Sequence, residues 1–211
     1  MKRPKLLYFY DALCGWCYGF SPVMQKTAAT YSDQFDFQVI SGGMIIGERI
    51  GPIGTVAPYI RTAYKDVENA AGVSFGKAFL EDILEEGSAI FTSIPAAIAM
   101  AVFQTHLPEK TVAFAGALQK AIYFDGIKPA DFSAYVPYAA NFGIDPDLFL
   151  AQMQEERFQE LAQADFNLAA EFGIGGFPTV VLEKGEKYFL LARGFMHWER
   201  FEQSLKKALE L

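Results

Sequence analysis

Apolar and polar positions change period three times along this chain. Leu6 to Tyr10 is a short unbroken apolar run, the pattern of a buried strand. A helical pattern follows to about Tyr31. Within it, Ser21-Pro22 permits two arrangements: Ser21 as an N-cap with Pro22 opening a new helix, or one helix kinked at Pro22. From Phe35 to Ser41, Phe37, Val39 and Ser41 alternate against Asp36, Gln38 and Ile40, which predicts a second strand. The opening is therefore β-α-β. Gly42 to Gly54 carries five glycines and reads as a loop. Gly47 is followed by Glu48-Arg49, so it is no phosphate-binding P-loop. It is either a plain connection or a loop that shapes a neighbouring site.

From about Val56 to Gly173 the period is helical. Helices are predicted near 56–70, 75–86, 94–106, 110–124, 130–142 and 146–172, the last with a break near Met153. Gly72, Gly87, Pro108, Asp125-Gly126 and Gly143 punctuate them, and Ser93 with Pro95 marks a helix start. Phe158, Leu161, Ala162, Asp165, Ala169 and Phe172 share one face of the last helix. After Gly173 the period returns to two. Ile174 to Pro178 is a loop. Thr179–Leu182 and Tyr188–Leu191 are strands around the turn Lys184-Gly185-Glu186. A final helix from Trp198 turns Phe201, Leu205, Ala208 and Leu209 inward. The four strands are expected in one mixed sheet, with the helices as a separate lobe: an α/β fold.

Composition narrows the class. A length of 211 residues buries a full core without staples. With 52% apolar and 20% charged residues, the chain is not disordered. A net charge of −7 with no Lys/Arg run predicts no nucleic-acid partner. The apolar stretch Ile94 to Phe103 is too short to span a bilayer, so no membrane partner is expected. Lys2, Arg3 and Lys5 precede only five apolar residues before Asp11, short of a signal-peptide core. A mature cytoplasmic N-terminus is expected.

Cys14-Gly15-Trp16-Cys17 directly follows the first strand and opens a helix. Free N–H groups at a helix N-terminus stabilise a thiolate. The first cysteine sits at the tip, where it can attack a disulfide. The second lies one turn in, where it can attack the mixed disulfide and release the product. Three other uses compete. A structural disulfide closing so small a ring stabilises by only about 2 kcal/mol. A zinc site needs two further ligands, and His106 and His197 form no ligand pair with each other. Two unrelated core cysteines would not need this strand–CxxC–helix placement. The redox reading is preferred, with no metal. Asp11 is either a proton-handling group or a satisfied loop carboxylate, the latter preferred. His106 and His197 have no assigned role, and Tyr18 is read as packing.

Gly175-Gly176-Phe177-Pro178-Thr179 precedes the hairpin. Together with the CxxC, the intervening helices and the ββα tail, it resembles the thioredoxin superfamily, and specifically its DsbA-like branch. The run from Cys14 to Gly19 is most similar to the cytoplasmic FrnE-like group of protein-disulfide isomerases predicted from sequence. The chain departs from that group in Gly15, where many relatives carry proline. It also lacks the histidine found between the cysteines of strong oxidants. The resemblance implies a thioredoxin-like fold, residues 1–50 and 155–211, with a helical domain inserted at 51–154. It implies a cis Pro178 against the CxxC and a Phe177 backbone that pairs with substrate. Cys14 and Cys17 would be catalytic, and Gly15, Trp16, Phe177 and Pro178 would contact substrate. No cofactor is implied beyond the Cys14–Cys17 couple, with glutathione as an optional co-substrate. The implied function is a thiol-disulfide oxidoreductase, a reductase or isomerase, on protein or small-molecule disulfides. The alternative is a glutathione-dependent transferase or isomerase of the kappa or 2-hydroxychromene-2-carboxylate isomerase type. Those enzymes share the scaffold but usually carry serine at the first cysteine position.

Overall fold

The computed structural model describes residues 3–210; Lys2, part of the basic start, and Met1 and Leu211, the outer ends of the expected thioredoxin-like segments, lie outside them. Strand β1 (Lys5–Tyr10) buries every residue after Lys5. Helix α1 (Gly15–Tyr31) follows, then β2 (Asp36–Ser41). Short strand β3 (Gly51–Pro52), helix α2 (Ala57–Ala71), a π-helix at Ala78–Glu85 and short strand β4 (Ile90–Phe91) come next. Helices α3 (Ile94–His106), α4 (Thr111–Tyr123), α5 (Val136–Ala140), α6 (Pro146–Met153) and α7 (Glu156–Glu171) lead to the hairpin β5 (Thr179–Lys184) and β6 (Lys187–Arg193). Helix α8 (Trp198–Glu210) ends the chain.

The four long strands form one mixed sheet in the order β2-β1-β5-β6. β1 and β2 run parallel, with Tyr8 opposite Val39. β5 runs antiparallel to both β1 and β6. Alternation along β1 splits its side chains between two cores. Leu6, Tyr8 and Tyr10 join the larger one, with Phe20 of α1 and Phe201 and Leu205 of α8. Leu7 and Phe9 join Ile40, Val181 and Ala169 of α7 in the smaller one. The sheet is thus covered on both faces, which is why β1 reads as a continuous apolar run.

One of the two arrangements at Ser21-Pro22 is selected, and three other local expectations change. α1 runs unbroken through Pro22, so Ser21 is not a cap. It is buried inside the helix and its Oγ accepts a bond from Gln25 Nε2 at 3.0 Å. The helix expected at 75–86 starts late and is wound as a π-helix. Its first residues are held elsewhere: Gly76 N–H donates to the Tyr123 carbonyl at 2.9 Å. The helix expected at 130–142 is a 3-10 turn at Phe132–Tyr135 followed by the short α5. Asp131 caps that turn through Ser133 N, and Gly143 at φ +87° ends the stretch. On α7, Leu161 points to solvent at 47% exposure while Phe166 is buried. The inward face therefore runs through Phe158, Ala162, Phe166 and Ala169.

Candidate active site

The site grows from the end of β1. Beyond Tyr10 the chain turns, with Cys14 N–H donating to the Asp11 carbonyl at 3.1 Å. Cys14 is the N-cap of α1, in extended backbone at φ −94° and ψ 110°. Its carbonyl accepts from Cys17 N–H at 3.0 Å and Tyr18 N–H at 3.1 Å. Both cysteines therefore lie on the first turn, whose leading N–H groups lack the i−4 carbonyl partner that later turns have. Both are free thiols. The expected contrast in access is present but small in degree: Cys14 is 7% exposed and Cys17 is fully buried. Cys14 is not an open tip; its side chain reaches the wall of a cavity. Burial, and then the neighbouring Cys14, push the Cys17 thiol well above its ordinary range.

The Phe177 carbonyl stands against the first cysteine. The Cys14 thiol donates to the Phe177 carbonyl at 3.5 Å, and the Phe177–Pro178 bond is cis. The glycine-rich loop makes room for this contact. A Cβ on Gly42 would stand 2.1 Å from the Phe177 ring, so only glycine admits the ring there. Gly42 N–H in turn donates to the Tyr10 carbonyl at 2.7 Å. Of the two readings of that loop, the structure supports the one in which it shapes a site: Met44 and Ile45 line the cavity.

Asp11 is a buried, fully partnered carboxylate. It accepts from Leu13 N at 2.9 Å, Met44 N at 2.7 Å and Ser93 Oγ at 2.9 Å. Burial raises its pKa against those three bonds. It ties the CxxC turn, the glycine-rich loop and the start of α3 together. Ser93 precedes α3 as expected, yet its hydroxyl does not cap the helix. It serves Asp11 and accepts from Ile45 N at 2.9 Å. His106 and His197 stand apart from the cavity: His106 Nε2 meets Gln152 Oε1 at 2.6 Å, and His197 packs on Phe195. Among the described residues, no three His, Cys, Asp or Glu side chains gather as a metal group, and no helix is long and apolar enough to cross a membrane.

Asp165 on α7 is a second mostly buried carboxylate. It accepts from Ser41 N at 2.9 Å at the end of β2. Burial pushes its pKa up to about 7, against about 3.9 in an unfolded chain. The folded state therefore holds this proton more tightly, and its stabilising effect is full below about pH 4 and lost as pH rises through about 7. The expected result is a melting temperature lower at pH 8 than at pH 5.5, by about 1–2 kcal/mol of stability, or roughly 2–8 °C. Asp165→Asn keeps an acceptor for Ser41 N and should remove most of that slope. Thermal melts of both proteins across this range check it; an unchanged slope would show that Asp165 is not its source.

A cavity of about 270 Å³ opens beside the first cysteine. Leu13, Cys14, Gly15 and Trp16 form one wall, and Ile60, Tyr64 and Val67 of α2 form another. Phe75 and Tyr123 form its floor, within an aromatic cluster that includes Tyr18 and Phe79. Tyr18 does more than pack, since its hydroxyl donates to the Ser74 carbonyl at 2.8 Å. The Tyr123 hydroxyl donates to the Leu13 carbonyl, fixing the CxxC turn to α4. Sequence reasoning missed Tyr64, Phe75 and Tyr123, because nothing in local periodicity separates an aromatic that lines a cavity from one in the core.

The sequence model for the DSBA-like thioredoxin domain matches residues 5–206. No curated protein matches the chain. Among solved structures, a candidate protein disulfide isomerase from Nitrosomonas europaea is 27% identical, covering 99% of this chain and 98% of its own, with a TM-score of 0.86. The cytosolic disulfide reductase DsbM from Pseudomonas aeruginosa is 26% identical, covering 98% of each chain, with a TM-score of 0.81. DsbM has also been solved with glutathione, at 25% identity, 98% and 100% coverage and a TM-score of 0.79. A 2-hydroxychromene-2-carboxylate isomerase, at 15% identity and a TM-score of 0.64, shares the fold.

Proposed function

The chain belongs to the family of DSBA-like thioredoxin domains, and on that premise we propose that it is a CxxC thiol-disulfide oxidoreductase, working as a reductase or isomerase. One observation carries this reading. Cys14 reaches a substrate-sized cavity from a helix N-terminus, while Cys17 is sealed behind it on the same turn. The Cys14 thiolate attacks a substrate disulfide and forms a mixed disulfide. Cys17 then attacks the Cys14 sulfur and releases the reduced product. Gly15 and Trp16 form the wall beside the reacting sulfur. Phe177 and Pro178 frame it from the other side, and the Phe177 backbone offers a peptide an extended partner.

Both protein disulfides and small-molecule disulfides are substrates in this reading. Glutathione is the thiol that returns the pair to the dithiol, which the glutathione-bound structure of DsbM supports. Similarity to a cytosolic reductase also supports a cytoplasmic location, where the pair rests reduced.

The test is direct. The reduced protein should reduce a protein disulfide stoichiometrically while gaining the Cys14–Cys17 disulfide. Limiting iodoacetamide should label Cys14 before Cys17, because Cys17 is buried with a raised pKa. Gly15 and Trp16 supply no cation to hold a thiolate, so the reduction potential should lie well below the roughly −120 mV of strong oxidants. Labelling of Cys17 first would reverse the assigned roles. A potential as high as the strong oxidants would leave an oxidase in place of a reductase.

A further inference from the structure

Every side chain lining the cavity beside Cys14 is uncharged. Trp16, Tyr64, Phe75 and Tyr123 turn aromatic surface towards it. The polar atom of its floor is already engaged, since the Tyr123 hydroxyl donates to Leu13. Val56 and Tyr59, exposed at 45% and 68%, carry the apolar lining out to solvent.

We propose that this cavity binds an aromatic or branched aliphatic group attached to the sulfur that Cys14 attacks. The preferred substrates are then disulfides bearing such a group, in preference to glutathione disulfide. The inference rests on the oxidoreductase reading above and names its substrate class. Apolar area leaving water supplies the binding energy, and the aromatic walls suit a ring. An apolar cavity of about 150 Å³ holds benzene, so about 270 Å³ accommodates a substituted phenyl group. Glutathione carries two carboxylates and an ammonium. Inside this cavity they would lose water and meet no opposite charge, which is costly. Glutathione can still meet Cys14 at the cavity mouth, with its charged ends in solvent.

The chemistry balances within one turnover. The Cys14 thiolate bonds to the sulfur carrying the apolar group, the substrate S–S bond breaks, and the other half leaves as a thiolate. The Cys17 thiolate then attacks the Cys14 sulfur, and the apolar thiol leaves from the cavity. Two electrons pass from the cysteine pair to the substrate, and the two cysteine protons end on the two product thiols.

Single-turnover mixing of the reduced full chain with benzyl 2-hydroxyethyl disulfide, bis(2-hydroxyethyl) disulfide and glutathione disulfide tests this. Acid quenching and alkylation read the Cys14–Cys17 disulfide formed, and each rate is divided by that of free dithiothreitol with the same compound. The benzyl compound should react at least tenfold faster than the other two. Ala63→Phe fills the cavity from α2 and should lower the benzyl-to-hydroxyethyl ratio at least tenfold. Val56→Glu, on the exposed rim, should lower the same ratio if Ala63→Phe does not fold. A ratio near one, a ratio unmoved by the variants, or glutathione disulfide as the fastest substrate overturns the cavity assignment and leaves the oxidoreductase reading intact. No disulfide formation with any of the three overturns that reading, and the inference with it.

Discussion

Serine at position 14 is expected to abolish disulfide reduction, by on the order of 10³-fold or more. A serine hydroxyl is not ionised near neutral pH, and among the described residues no histidine lines the cavity to activate it. Serine at position 17 should act differently. The first attack survives, because Cys14 still faces the cavity. Resolution does not, because no other cysteine exists in the chain. Cys17→Ser should therefore accumulate a Cys14 mixed disulfide, visible by mass, while turnover falls to a comparable degree. Insulin reduction and intact-protein mass measure both effects. Insulin reduction retained within tenfold in Cys14→Ser would overturn the assignment of Cys14 as the attacking thiol.

The largest effect on stability is expected far from the thiols in sequence. Gly76→Ala should destabilise the protein by about 3 kcal/mol or more, lowering the melting temperature by roughly 6–12 °C. A Cβ at Gly76 would stand 1.8 Å from the Phe124 carbonyl oxygen. That obstacle is backbone, so no rotamer change relieves it. Gly76 N–H is also bonded to the Tyr123 carbonyl, so moving the segment away costs that bond. Tyr123 lines the cavity and holds Leu13, and the reactivity of Cys14 should change along with stability. Gly51→Ala is the control. Nothing lies within 4 Å of its would-be Cβ, and the change should stay within about 0.5 kcal/mol. Equal losses in the two variants would mean that the clash with Phe124 does not set the cost.

Local pattern was enough for much of the frame. Ile94–His106 matches its expected helix at both ends, because Pro95 and the apolar period are signals carried by adjacent residues. The hairpin and α8 follow from turn chemistry and a single amphipathic face in the same way. The placement of the CxxC on the first turn of α1 was equally legible, since a strand, a tight turn and a helix start are all local features. Where the structure departs, a distant segment won. Ser93 has the composition of a helix cap, but its hydroxyl is taken by Asp11, 82 residues earlier. The helix expected from 75 starts late because α4 holds Gly76.

Local pattern set the order of the long elements, the mixed sheet and the cysteine pair to which the chemistry is assigned. Periodicity records which face of each segment avoids water, and avoiding water is a property each segment has alone. The tertiary structure alone decided how open Cys14 is and what stands beside it. The cavity takes residues from the CxxC turn, the glycine-rich loop, α2, β4 and α4. The Asp11 carboxylate joins three segments of the chain. An apolar residue has the same hydropathy whether it fills a core or lines a cavity. Which of the two it does depends on the shape left when segments tens of residues apart are packed together.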